Sequence, residues 1–272
     1  MVAKVEDKFV EVSGMRTHYL EAGQGHPLVL LHSGEFGACA ELSWEFTIGP
    51  LSEHFHVLAP DWLGFGGSAK LYSFDDMAGL RISHIAAFLE TLGVSRAHFI
   101  GNSMGGGHLA RAAVMAPSPF PIVRMVLTGA GGAAPMNEAR ETLNTYDGTR
   151  SHMGRIVETL VRDPALRSDE AYIDRRHRLS LEPGAWECVA AARFTMPGRQ
   201  SARRPPTSFD KIPFSTLIIA GAKDPLRDPG YGEKLQGQIE DSELLVLPEA
   251  GHCPQIDSPR AFNAAVVEFL RR

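Results

Sequence analysis

Three residues at three expected strand ends have the types needed for nucleophilic catalysis. Ser103 stands in Gly101-Asn102-Ser103-Met104-Gly105, between the apolar run Ala97–Ile100 and a helical stretch reaching Ala116. A serine hydroxyl is a weak nucleophile until a base takes its proton, and the base needs a carboxylate to orient it. In a G-x-S-x-G turn from strand to helix, small neighbours let the backbones approach. The helix N-terminus then aims free N–H groups and its positive dipole end at a developing oxyanion. The base is expected at His252, in Pro248-Glu249-Ala250-Gly251-His252 after the last strand. The acid is expected at Asp224, in Gly221-Ala222-Lys223-Asp224 after the strand before it. That chain order, Ser then Asp then His, is the one this turn requires. Asp228 is the competing acid, but it lies farther from the strand end and reads as a turn or cap residue. Two backbone donors must face the oxyanion. They are expected at Met104, the residue after the nucleophile, and at Gly34 in His32-Ser33-Gly34-Glu35.

The elements that must hold these residues follow from hydrophobic patterning. Phe9–Val12 and Thr17–Leu20 alternate around Ser13-Gly14 and read as an antiparallel hairpin. Leu28–Leu31, His56–Ala59, Ala97–Ile100, Ile122–Leu127, Thr216–Ala220 and Glu243–Leu247 are strands, several of them continuously apolar as strands buried on both faces should be. Helices are expected over Ala40–Leu51, Met77–Leu92, Tyr231–Ile239 and from Pro259 to the C-terminus. The alternation stops once, from Ala133 to Pro206, where the chain is Arg-rich and mainly helical. The fold class is therefore α/β: an eight-stranded, mostly parallel sheet with a helical cap inserted after strand six. The expected divisions are core over 1–132, cap over 133–206 and core again over 207–272.

Composition narrows the partners. Apolar residues make up 44% and charged residues 22%, with a formal net charge of −5. That balance gives no reason to expect nucleic acid or an anionic membrane. No apolar stretch approaches the about 20 residues that span a bilayer. The N-terminal residues lack a signal-peptide pattern, and Cys39, Cys188 and Cys253 are odd in number and far apart, so a cytoplasmic protein without disulfides is expected. His54-x-His56 has no metal-site spacing. Gly64-x-Gly66-x-x-Ala69 after a strand is only faintly like a dinucleotide loop, and Asp61 before it reads as a residue that fixes the loop. Neither metal nor cofactor is expected.

The chain resembles α/β-hydrolases of the subgroup that cleaves carbon–carbon bonds in meta-ring-fission products of aromatic catabolism. The likeness is carried by Leu30–Gly37, Ala59–Gly66, Gly101-Asn102-Ser103-Met104-Gly105-Gly106 and Gly251-His252-Cys253-Pro254-Gln255, with Phe262-Asn263 nearby. It covers Lys8–Gly132 and Pro206–Arg272 and is looser in the cap. The resemblance implies hydrolysis of a 2-hydroxy-6-oxohexa-2,4-dienoate-like small molecule without a cofactor, and a homodimer. It also implies a cap arginine on the dienoate end of the substrate, at Arg176 or Arg175. Asn102, Ser33, Glu35, Ser43 and Cys253 are the further expected substrate-binding positions. Four of them depart from the family pattern. Ser33 replaces Gly, Glu35 replaces Pro or Gly, Ser43 stands where an Asn is frequent, and Cys253 replaces Trp. A carboxylesterase needs the same triad and a less acidic pocket, and a ligand-binding protein of this fold can keep the triad without turnover. Epoxide hydrolases and dehalogenases carry Asp at the nucleophile turn.

Overall fold

The computed structural model describes residues 4–131, 134–191 and 207–272. Its sheet has eight strands in the order β1-β2-β4-β3-β5-β6-β7-β8. β1 (Glu6–Val12) and β2 (Met15–Ala22) form the hairpin, and β2 pairs antiparallel with β4 (His56–Pro60). β3 (Pro27–Leu31), β4, β5 (Ala97–Asn102), β6 (Ile122–Thr128), β7 (Thr216–Gly221) and β8 (Ser242–Leu247) run parallel. A mostly parallel sheet of this kind directs its strand C-termini to one edge, and Ser103, Asp224 and His252 all follow such ends.

The unbroken apolar runs have a direct structural cause: both faces of the sheet are covered. Val29, Leu31 and Phe99 face one core with Phe88 and Leu109. Leu28, Leu30 and Ile100 face the other, with Trp44, Phe262 and Phe269. Burying one such side chain contributes about 1.5–3 kcal/mol, so the two cores hold the central strands rigidly under the site.

Helices α1 (Ala40–Trp44), α2 (Ile48–Ser52), α3 (Met77–Thr91) and α4 (Met104–Ala113) accompany the first half of the sheet. The single helix expected over Ala40–Leu51 is thus two short ones. Pro50 has no N–H for the Phe46 carbonyl, so a continuous helix would leave that oxygen unsatisfied. Here the side chain of Asn263 donates to it at 2.9 Å. Between β6 and β7 come α5 (Glu138–Asn144), α6 (Arg150–Leu160), α7 (Pro164–Arg167), α8 (Glu170–Ser180) and α9 (Ala185–Ala191). The expected cap limits, 133 and 206, fall outside the described residues. α10 (Tyr231–Gln236), α11 (Pro254–Asp257) and α12 (Pro259–Leu270) complete the chain. The one-turn α11, directly after His252, was not expected; Pro254 at its first position is the signal for it. Among the described residues no helix is long and apolar enough to cross a membrane.

Asn263→Ala removes the donor that replaces the missing helical bond at Phe46. Urea denaturation should show a loss of about 1–3 kcal/mol, the cost of leaving a buried carbonyl unsatisfied, with no loss of the parallel sheet by circular dichroism.

Candidate active site

Ser103 occupies a strained turn. Its φ is +52° and ψ −112°, between the last residue of β5 and the first of α4. Such a conformation costs about 1–3 kcal/mol and persists only where the surroundings impose it. Two glycines show how. A Cβ on Gly101 would lie 2.6 Å from the Gly106 backbone, and one on Gly105 would lie 2.2 Å from the Leu31 carbonyl oxygen. The turn can therefore form only with bare backbone at both positions. The Ser103 N–H is held by the Thr128 carbonyl at 2.9 Å.

His252 reaches this turn from the loop after β8. Ser103 Oγ lies 2.8 Å from His252 Nε2, and His252 Nδ1 lies 2.8 Å from Asp224 Oδ2. The second Asp224 oxygen accepts the Leu226 N–H at 2.8 Å. Burial alone would raise the Asp224 carboxyl. The His252 charge, its hydrogen bond, the Leu226 N–H and Arg227 outweigh burial and hold it below its ordinary value. Asp224 is thus an ionised partner that fixes the His252 ring with Nε2 toward the serine. Asp228 stands apart, its carbonyl accepting the Tyr231 N–H at the start of α10.

Gly34 and Met104 are neighbours at the same cavity. A Cβ on Gly34 would stand 2.4 Å from Met104 Sδ. Among the described residues neither backbone N–H is engaged by a carbonyl, which leaves both as donors. The loop carrying Gly34 is braced from below by His32, which is fully buried. The Trp62 N–H donates to His32 Nε2 at 3.1 Å, so the proton sits on Nδ1 and is donated to the Ser33 carbonyl at 2.6 Å. Burial lowers the His32 pKa and keeps the ring neutral. Asp61 fixes the adjoining loop, accepting from Ala40 N at 2.7 Å, Gly67 N at 2.8 Å and His18 Nδ1 at 2.6 Å.

A cavity of about 280 Å³ joins Ser103, His252, Gly34, Met104 and Glu35 to Leu143, Leu160, Leu226, Arg140 and Arg227. Arg140 and Arg227 had no sequence signal beyond being arginines, one in α5 and one three residues after Asp224.

Other expected positions lie behind the cavity wall. Asn102 is fully buried and its amide bridges the Thr128 and His252 carbonyls at 3.2 Å each, tying the histidine loop to β5. Cys253 is buried with its thiol toward Asn102 Oδ1, and burial pushes that thiol well above its ordinary value. Ser43 is buried within α1. Ser33 spends its hydroxyl on Glu35 Oε1 at 2.9 Å. The two cap arginines part company. Arg175 turns outward to Glu41 and Glu45 at 3.3 and 2.9 Å. Arg176 turns inward, buried, with Nη2 2.7 Å from Glu35 Oε1. Gly37 permits this approach: a Cβ there would lie 2.2 Å from the Arg176 carbonyl oxygen.

The sequence model of the alpha/beta hydrolase family matches residues 28–265. The chain belongs to this family. Among its relatives is the 2-hydroxy-6-oxo-6-(2'-aminophenyl)hexa-2,4-dienoic acid hydrolase of Metapseudomonas resinovorans, 30% identical, with 98% of this chain and 91% of the relative covered. Another is the 2-hydroxy-6-oxo-2,4-heptadienoate hydrolase of Pseudomonas putida, 30% identical over 97% of this chain and 95% of the relative. The solved structure of the 2-hydroxy-6-oxo-6-phenylhexa-2,4-dienoate hydrolase of a Rhodococcus species superposes with a TM-score of 0.87. It is 26% identical and covers 99% of this chain and 100% of its own. The hydrolase is thus similar along its whole length to meta-cleavage product hydrolases, and the expected family and fold are both borne out.

Within this hydrolase the Glu35–Arg176 pair sets the β3 side of the cavity. Burial alone would raise the Glu35 carboxyl; the Arg176 charge, its hydrogen bond, a backbone N–H and the Ser33 hydroxyl bring it below its ordinary value. A folded value below the unfolded one stabilises above the ordinary carboxyl range, and that stability is lost as pH falls through the folded value. Glu35→Gln leaves a buried guanidinium without its counter-charge, so it should lower unfolding free energy by about 3 kcal/mol at neutral pH. It should also flatten the acid limb of the stability profile. Glu35→Gln/Arg176→Met should recover most of that loss, giving a coupling above about 1 kcal/mol in a urea-denaturation double-mutant cycle.

Proposed function

We propose that Ser103 is the nucleophile, His252 its base and Asp224 the acid that orients His252, with the Gly34 and Met104 N–H groups as the oxyanion hole. The observation that carries this reading is the continuous relay from Ser103 Oγ through His252 to Asp224, at 2.8 Å per link, opening into the cavity lined by Gly34 and Met104.

The reaction we assign is hydrolysis of the C–C bond beside the ketone of a 2-hydroxy-6-oxohexa-2,4-dienoate-like ring-fission product. The activities of the relatives at 30% identity support it. The dienol first ketonises. The carbonyl carbon is then attacked by Ser103 Oγ, or by a water that the Ser103–His252 pair deprotonates, and His252 takes the proton. The tetrahedral oxyanion is met by the Gly34 and Met104 N–H groups. Its collapse breaks the C–C bond; the bonding pair moves into a conjugated dienolate whose charge rests on the former C2 keto oxygen, and that oxygen receives the proton from His252. In the serine route a water, deprotonated by His252, then cleaves the acyl–Ser103 ester; either way one water is consumed, a carboxylic acid and a dienol are released, and no cofactor enters the balance. Small-molecule turnover in the cytoplasm, without nucleic acid or membrane as partner, fits the net charge of −5 and the three free, buried cysteines. A homodimer rests on the family resemblance and is checked by sedimentation.

The test is a substrate panel followed by ultraviolet absorbance. Loss of the dienolate chromophore, with kcat reduced about 10⁴-fold or more in Ser103→Ala, is the expected result. Turnover confined to short-chain aryl esters would make the protein a carboxylesterase. No turnover of either class would make it a binding protein.

A further inference from the structure

The cavity is lopsided in charge. On the β3 side of Ser103, Arg176 is already matched by the Glu35 carboxylate at 2.7 Å. On the other side stand Arg140, from α5 of the cap, and Arg227, from the loop after β7. The strand order β3-β5-β6-β7 places Ser103, at the end of β5, between the two groups. Arg227 is anchored by the Gly129 carbonyl just past β6, through Nε at 3.1 Å and Nη2 at 2.7 Å. Arg140 Nη2 donates to the Leu226 carbonyl at 3.1 Å, while its buried Nε has no partner among the described residues.

Those acceptors are neutral carbonyls, which orient a guanidinium without cancelling its charge. Asp224 is the carboxylate whose field reaches both arginines. Its oxygens are taken by His252 Nδ1 and the Leu226 N–H, and among the described residues neither arginine makes an ion pair. Residues 192–206 hold no Asp or Glu that could supply one. Burial pushes both guanidinium groups below their ordinary value, and for Arg140 the neighbouring Arg227 charge adds to the effect. Two partly desolvated like charges in one cavity are unfavourable until an anion joins them. Oriented in advance, they form a receptor for a planar carboxylate.

We propose that Arg140 and Arg227 form a carboxylate-binding subsite on the β6–β7 side of Ser103, and that the hydrolase selects substrates carrying an anionic group there. The inference rests on Ser103 as the nucleophile, and not on whether a C–C or an ester bond is cleaved. One arginine comes from the cap and the other from the core. A carboxylate bound between them therefore joins the two parts while holding the reacting carbonyl over Ser103.

Two probes that need no C–C cleavage test this: mono-p-nitrophenyl glutarate against neutral p-nitrophenyl valerate, and calorimetric binding of glutarate. The wild-type protein should prefer the anionic ester in kcat/KM and bind glutarate. Arg140→Leu and Arg227→Leu should each lower the anionic-to-neutral ratio by about tenfold or more, chiefly through KM, and weaken glutarate by a similar factor. Lys at either position should restore part of both. Arg175→Ala, outside the cavity, should keep the wild-type ratio. If a Leu variant fails to fold, the Gln variant at that position carries the same test. A ratio unchanged within about twofold, or a wild-type protein that binds no glutarate, overturns the subsite. Two further substrates then tell which carboxylate docks. If a ring-fission product with the dienoate carboxylate alone loses KM in the variants, the dienoate end docks there. If only a product with a second carboxylate on its acyl side does so, the acyl end docks. If neither does, the subsite plays no part in C–C hydrolysis and is overturned for that reaction. Absence of C–C cleavage alongside a responsive ester ratio would sink the C–C reading and leave the subsite standing.

Discussion

Three backbone segments meet at Ser103 at distances that leave no room for a Cβ. A side chain on residue 105 would collide with the Leu31 carbonyl, and one on residue 101 with the Gly106 backbone. This contact brings the end of β3, the end of β5 and the start of α4 into one place. It forces the serine to φ +52°, points its oxygen at His252, and sets the Met104 side chain against Gly34. The two hydrophobic cores supply the stiffness that keeps such a strained turn from relaxing. The relay geometry is a consequence of that packing, since each partner arrives on a loop from its own parallel strand.

Charge is arranged around this turn largely in compensated groups. Asp224 is answered by His252, Glu35 by Arg176, and Asp61 by His18 and two backbone donors. Each pairing orients a segment near the strand ends: the His252 loop, the contact of α8 with the Glu35 loop and the brace behind the Gly34 loop. Among the described residues Arg140 and Arg227 make no ion pair and are held by neutral carbonyls on the far side of Ser103, and buried Arg81, by Met104, likewise donates only to the Leu63 carbonyl and Met104 Sδ. Of the arginines lining the cavity, Arg140 and Arg227 are the pair without a carboxylate partner among the described residues.

Much of this was legible in the sequence because strand–turn–helix motifs carry their own spatial meaning. Ser103, Asp224 and His252 could be placed from the strand that precedes each one. The sheet followed from apolar runs that need cover on both faces. What stayed hidden depends on rotation about helices and on contacts across long gaps. Arg175 and Arg176 are adjacent, yet about 100° apart around α8, and which one faces inward depends on how that helix packs against the core, with Gly37 close against the Arg176 backbone. Asn102 belongs to the G-x-S-x-G turn, but its amide is taken by the Thr128 and His252 carbonyls, so it ties the His252 loop to β6. Ser43 and Cys253 were expected at the pocket, and helix packing buries both behind it. Arg140 reaches the cavity only through the way α5 lies over the core, which no local pattern encodes.

The central claim is that Ser103 is a nucleophile activated by this relay in the folded protein. Intact-mass spectrometry after treatment with a fluorophosphonate tests it most directly. One adduct per chain is expected, mapped to Ser103, abolished in Ser103→Ala and strongly slowed in His252→Ala. A folded protein that stays unlabelled, or an adduct located on another residue such as Cys253, would contradict it.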